Sequence, residues 1–157
     1  MPFEDFFELH HSPLFRALWL ITRNRSEAED VVQDAFLRLL ERWEFVRFLA
    51  DPEGYLYRTA MNVLRSHRRR ALVAVRRAVG HLPPDDQLAL VESRDTVVRA
   101  LAHLTPRQRA AIVLTEMLGL TSIEAAQALK VKPSTVRVLA ARAREVLKDR
   151  LKEEDDG

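Results

Sequence analysis

Apolar residues recur three and four positions apart along most of this chain, and period-two alternation is rare, so the pattern predicts a mostly helical protein. The clearest stripe is Ala28, Val31, Val32, Ala35, Phe36, Leu39, Leu40 and Trp43, the buried face of one amphipathic helix. Ser26 and Glu29 ahead of it have the spacing of a capping box, which predicts the start of that helix. Upstream, Phe3, Phe6, Phe7 and His10 share a helical face. Pro13 predicts a break before a further apolar helix carrying Leu14, Leu18 and Ile21. Residues 44–50 read as a connector with two aromatics. Asp51 and Pro52 then supply an N-cap and a first-turn proline for a helix with Leu56, Ala60, Val63, Leu64 and His67 on its apolar side.

From Gly80 the period fails. The stretch HLPPDDQLALVES holds a Pro-Pro pair and three acids, which predicts a linker. Helix resumes near Arg94 with Val97, Val98, Leu101 and Leu104, and three further helix starts follow. Thr105, Pro106 and Gln108 give an N-cap, a proline and a capping-box partner, and Gly119 predicts a left-handed stop. Thr121 and Glu124 form a second capping box. The short helix after it turns at Lys130–Lys132, and Pro133 restarts the chain. The last two helices have helix-turn-helix spacing. Ala126 is small where they cross, and Val136 is apolar where the second packs back on the first. Lys130 takes a turn position that glycine fills most easily, and Lys132 offers no capping oxygen. The terminal KDRLKEEDDG reads as a frayed, solvated acidic tail.

A length of 157 residues allows one domain or two small ones, and 47% hydrophobic content is enough for a core. With no cysteine there is no disulfide framework and no thiolate metal site. No cofactor and no metal are expected. No apolar run spans a membrane and no signal peptide opens the chain, so direct membrane contact is not expected and the cytoplasm is the expected compartment.

A net charge of +2 says little, but its distribution says more. The connector carries acids and no Lys or Arg, between two mildly basic blocks. Arg65, Arg68, Arg69, Arg70, Arg76 and Arg77 form a run without an intervening acid, an electrostatic footprint for phosphate or else a solvated helix end. Arg58, Asn62, Arg65 and Arg69 make a stripe suited to nucleic acid, because Arg holds phosphates and Asn reads base edges. Tyr55 and Tyr57 could stack on unpaired bases, although tyrosine at helical spacing is more often core. On the last helix Ser134, Thr135, Arg137, Val138, Ala141 and Arg142 share the outward side, as a helix entering a major groove requires. Asp30, Gln33, Asp34, Leu37 and Glu41 share the face opposite the apolar stripe. An apolar anchor in a polar rim suits a partner, while by pattern alone an ordinary polar face with one stray leucine is the simpler reading.

In this order and spacing the blocks resemble a bacterial sigma factor of the extracytoplasmic-function (ECF) group. AEDVVQDAFLRLLERW (28–43) is similar to the family's region 2 helix, DPEGYLYRTAMNVLRSHRRR (51–70) to its promoter-melting helix, and 104–147 to region 4. The implied fold is all-α: region 2 over 1–78, a flexible linker over 79–93, region 4 over 94–152 and an acidic tail over 153–157. The resemblance makes Asp30, Gln33, Asp34 and Leu37 the docking face for core RNA polymerase. It assigns −10 DNA to Phe48, Arg58, Asn62, Arg65, Arg68 and Arg69, with Phe45, Arg47 and Phe48 where the family's loop captures a flipped base. It assigns −35 DNA to the outward side of the last helix and implies an anti-sigma partner. Ser66 departs from the common Asp, and Val138, Leu139 and Ala140 from a commoner Ser-Arg-Leu, which bears on the −35 preference.

The expected function is therefore a dissociable initiation subunit, not an enzyme, that directs polymerase to promoters. The rival is an autonomous helix-turn-helix regulator with an N-terminal sensing or dimerisation domain. The N-terminal block speaks against it by carrying its own Arg/Asn helix. An enzyme finds no support in five scattered histidines without metal-ligand or nucleophile–base spacing.

Overall fold

The computed structural model describes the backbone of residues 1–78 and 96–157, and the side chains of 1–70 and 96–157. The linker expected over 79–93, the helix start near Arg94 and the side chains of Arg76 and Arg77 lie outside these residues. The first unit is built from α1 (Phe3–Thr22), α2 (Arg25–Glu41), the short α3 (Trp43–Val46) and α4 (Pro52–Ala78). The second contains α5 (Thr96–Leu101), α6 (Pro106–Ile112) continued by a π-helical turn over Val113–Met117, α7 (Ser122–Leu129) and α8 (Pro133–Asp155).

Two expectations about the first helices need correction. Pro13 does not break the chain but lies inside the continuous α1. Proline removes the hydrogen bond to the carbonyl four residues back. That residue, Leu9, is 59% exposed, so water can serve its carbonyl instead. The expected Ser26–Glu29 capping box does not form either, because α2 begins earlier. Asn24 is its N-cap, and its side chain accepts the Glu27 N–H at 2.9 Å. Arg23 turns the chain in the left-handed region (φ 56°), and the Thr22 hydroxyl accepts the Asn24 N–H at 3.2 Å. Asn caps as well as Ser, and this turn fixes it in place first. Glu29 pairs with Arg25 at 3.3 Å instead.

The α2 stripe from Ala28 to Leu39 is buried as expected, with Trp43 beyond it. Leu40 is the exception at 50% exposed. It forms the lip of a groove between α1 and α2, of about 590 Å³, also lined by Phe7, Phe15, Phe36 and Leu37. The start of α4 follows the expectation: Asp51 Oδ1 accepts the Gly54 N–H at 2.9 Å. A Cβ on Gly54 would stand 2.0 Å from that carboxylate, so glycine lets the cap close over the first turn. Leu56, Ala60, Val63 and Leu64 are buried, and so is Tyr57, which donates its hydroxyl to Glu53.

In the second unit both capping boxes form, Thr105 with Gln108 and Thr121 with Glu124. The π turn ends as Leu118 N–H bonds Val113 O at 3.1 Å, and Gly119 takes the left-handed conformation at φ 71°. Lys130 adopts the left-handed turn position at φ 54°, and Lys132 caps α8 without a side-chain bond, both as read from the sequence. Ala126, Val136, Ala140 and Ala143 are buried where the last helices cross. The expected frayed tail is a further correction. α8 stays helical to Asp155, and Glu154 accepts Arg99 Nη2 at 2.7 Å and Nε at 3.0 Å. The partner sits on α5, 55 residues away in sequence.

The two units also share a contact face, which the sequence pattern does not announce. α1 packs on α6 and its π turn, and α4 packs on α7. Arg109 of α6 is 1% exposed and donates its Nε to the Ile21 carbonyl near the end of α1 at 3.3 Å. Arg65 of α4 donates to the Ala128 carbonyl at the end of α7. Both guanidinium groups meet the electronegative end of a helix, where a cation is favoured.

Candidate polymerase and nucleic-acid interfaces

The helix α2 turns one stripe into the core, which leaves Asp30, Gln33, Leu37 and Glu41 exposed and Asp34 half-buried. Leu37 is 52% exposed and lies with Gln33 along the aromatic groove against α1. Asp34 lies on the other flank, toward α4, where its Oδ2 is 2.7 Å from His67 Nε2. The structure therefore gives this face an apolar side and an acidic side. His67 is the partner that sequence reasoning missed, having placed it on the apolar side of α4. Its spacing on α4 was legible, but its partner on α2 was not.

The expected connector over 44–50 begins as the helical turn α3, where Phe45 is 61% exposed. Just beyond it Phe48 is 75% exposed, and the Arg47 guanidinium stands 4.8 Å from the centre of the Phe48 ring. An exposed aromatic backed by a cation offers a flat face for a base and a positive charge for its phosphate. Along α4, Asn62, Arg68, Arg69 and Arg70 are exposed and Arg58 is half-buried. The stripe is not uniformly free. Arg65 donates to Asn62 Oδ1 as well as to Ala128 O, and Arg68 Nε is 3.1 Å from Glu27 Oε1 on α2. Desolvation by burial, then the neighbouring Arg69, lowers the Arg65 pKa from its ordinary value. Tyr57 is core, while Tyr55 is half-buried against it.

On α8 the outward row is present. Ser134, Arg137, Val138, Ala141 and Arg142 are exposed and Thr135 is half-buried. At about 1.5 Å per residue this row spans about 12 Å, the width of a B-DNA major groove. It combines two arginines, short hydroxyls and a small apolar face without an acidic side chain, which suits phosphates and base edges. Farther along, Arg144 pairs with Glu116 of the π turn at 2.9 Å, holding α8 against α6. Among the described residues no group of three or more His, Asp or Glu could hold a metal ion. Nor is any helix among them long and apolar enough to cross a membrane.

Comparison with known proteins agrees with this division. The family described as Sigma-70 region 2 matches residues 6–72, and Sigma-70, region 4 matches residues 94–147. The chain is 34% identical over 143 residues to the ECF RNA polymerase sigma factor SigM of Mycobacterium tuberculosis, covering 90% of this chain and 73% of SigM. It is 30% identical over 153 residues to the ferric citrate uptake sigma factor FecI of Escherichia coli, covering 91% and 87% of the two chains. The fold is shared with the sigma factor RpoE of Bartonella quintana, solved in complex with the anti-sigma factor NepR, at a TM-score of 0.74, 21% identity and 96% coverage of both chains. With both regions matched in order and the two helical units in place, the chain belongs to the ECF group of bacterial sigma factors.

Proposed function

We propose that this sigma factor engages core RNA polymerase through Asp30, Gln33, Asp34 and Leu37 of α2. The −35 duplex is read by Ser134, Thr135, Arg137, Val138, Ala141 and Arg142 of α8. The −10 strand is held by Phe48 and by Arg58, Asn62, Arg65, Arg68 and Arg69 of α4. The observation that carries this reading is that each unit presents its own arginine-bearing helix face to solvent, one on α4 and one on α8. Phosphate contacts set the register, and the few polar side chains facing base edges supply the preference. Free −10 bases are read more easily once melting has begun, because extruding a base costs only a few kcal/mol. The chain supplies no catalytic groups, and the polymerase performs the chemistry. It works in the cytoplasm, where polymerase and promoter are found.

By their names the two promoter elements lie about 25 base pairs apart, roughly 85 Å at 3.4 Å per pair. Units in mutual contact, with Arg65 on the Ala128 carbonyl, do not span that distance. Polymerase must therefore separate them, and only at the spacing it imposes do two weak readers gain affinity from each other. The chain alone then binds promoter DNA poorly, unlike the autonomous regulator that the family membership disfavours. An anti-sigma factor is the expected regulator, and the shared fold with an RpoE solved in such a complex supports it.

The test is reconstitution of the full chain with bacterial core polymerase on promoters selected from random DNA. Specific transcripts that require the chain and vanish on replacing Asp34 and Leu37 by Ala support the reading. Tight duplex binding by the chain alone, with no association with core, overturns it.

A further inference from the structure

The helix that carries the proposed docking face, α2, is tied to the proposed −10 helix, α4, by two polar contacts from adjacent residues. His67 Nε2 lies 2.7 Å from Asp34 Oδ2, and Arg68 Nε lies 3.1 Å from Glu27 Oε1. The two pairs differ in what they hold. Glu27 sits in the first turn of α2, outside the docking face. Asp34 sits within that face and is 43% exposed, whereas the His67 side chain is 21% exposed. The imidazole is thus the sheltered partner and the carboxylate the one presented to solvent. An Asp on an open helix surface samples several rotamers, and a docking partner must freeze one of them. Here a half-buried ring from the neighbouring helix already holds one carboxylate oxygen, Oδ2, of a side chain that stays 43% exposed.

We propose that His67 is a positioning residue for polymerase engagement: it orders the Asp34 carboxylate, so that docking loses less conformational freedom. This rests on reading the α2 face as the docking surface. The contact works with either charge state of the ring. Neutral imidazole donates its Nε2 hydrogen to Oδ2, and imidazolium donates the same hydrogen with an added charge. A side chain held by a second residue keeps its productive geometry before the partner arrives, and an ordered side chain has less entropy to lose on binding. Because His67 lies on α4 between Arg65 and Arg68, the same contact joins the docking face to the helix assigned to the melted strand.

The experiment is equilibrium binding of fluorescently labelled full chain to purified core polymerase for wild type, Asp34→Ala, His67→Ala, His67→Gln and the Asp34→Ala/His67→Ala double variant. Circular dichroism of each free chain checks that the helices remain. Gln places an amide donor near the position of the imidazole Nε2 and should keep the contact. The expected result is a core affinity reduced roughly three- to tenfold by His67→Ala, the range for ordering one side chain. His67→Gln should restore most of it, and His67→Ala should have no further effect once Asp34 is Ala. A merely structural histidine would weaken binding equally in both backgrounds, and that additivity overturns the proposal. So does a His67→Ala chain that binds core like wild type while Asp34→Ala binds weakly; in that case the docking reading stands and the positioning role falls. If Asp34→Ala itself leaves core binding unchanged, the docking reading of this carboxylate fails and the proposal fails with it.

Discussion

The buried Arg109 offers a measure of how firmly the two units are joined. Its side chain is 1% exposed and its Nε donates to the Ile21 carbonyl at 3.3 Å, near the C-terminal end of α1. Replacing it with Met keeps an unbranched stem of similar length and removes only the charge and the donor. A hydrogen bond to a charged group is worth about 1.5–3 kcal/mol, so Arg109→Met should lose about that much stability. Arg109→Ala additionally removes the buried Cγ and Cδ methylenes, at about 0.8 kcal/mol each. The total for Ala is then roughly 3–5 kcal/mol, before any collapse of the space left behind. Urea denaturation followed by far-ultraviolet circular dichroism reads both units. Trp19 and Trp43 both lie in the first unit, so tryptophan fluorescence reads that unit alone. In wild type the two signals should fall together, and in Arg109→Ala the whole transition should move to lower urea. A loss below about 1 kcal/mol in Arg109→Ala would refute the view that this residue joins the units in solution. Equal losses in Met and Ala would show instead that the donor dominates and the stem adds nothing.

Three further outcomes are expected. Lys130→Gly relieves a left-handed residue at φ 54°; that conformation costs about 1–2 kcal/mol, partly offset by the looser unfolded chain, for a net gain of about 0.5–1 kcal/mol in thermal or urea denaturation. No gain would mean that the turn is not held left-handed in solution. Arg137→Ala in the reconstituted holoenzyme should weaken −35 binding by about 1–3 kcal/mol and relax one base position in a selection experiment, and an unchanged preference would refute the register assigned to α8. The Tyr57 hydroxyl is pushed well above its ordinary value of 10.0, first by burial, then by the hydrogen bond to Glu53 and by the charges of Glu53 and Asp51. A proton held more tightly in the folded state stabilises fully below the unfolded value, and that contribution is lost as pH rises through the folded one. Stability contributed by Tyr57 should therefore be intact at neutral pH and fall above pH 10, steeply in wild type and less in Tyr57→Phe. Parallel alkaline stability curves for the two chains would contradict this.

Much of the molecule is decided within a few residues along the chain. The Thr105–Gln108 and Thr121–Glu124 boxes, the Asp51 cap, the left-handed Gly119 and Lys130, and the outward row on α8 all follow from neighbours three or four positions apart. Such features are legible because one turn of helix brings those positions together whatever the rest of the chain does. The same locality explains two of the misread features. At α2 two adequate caps compete within three residues, and the preceding turn selects Asn24 over Ser26. At Pro13 an exposed surface tolerates the missing hydrogen bond. What only the tertiary structure decided joins positions far apart in sequence. His67 and Asp34 are 33 residues apart, Arg65 and Ala128 are 63, and Arg109 and Ile21 are 88. Arg99 likewise pairs with Glu154, 55 residues away, on a tail that stays helical while remaining exposed to solvent. Charge and periodicity mark each of these side chains as polar or as facing one side of its helix. Which helix lies opposite depends on how separate amphipathic faces dock, and that is a property of the whole packed core rather than of any window of sequence.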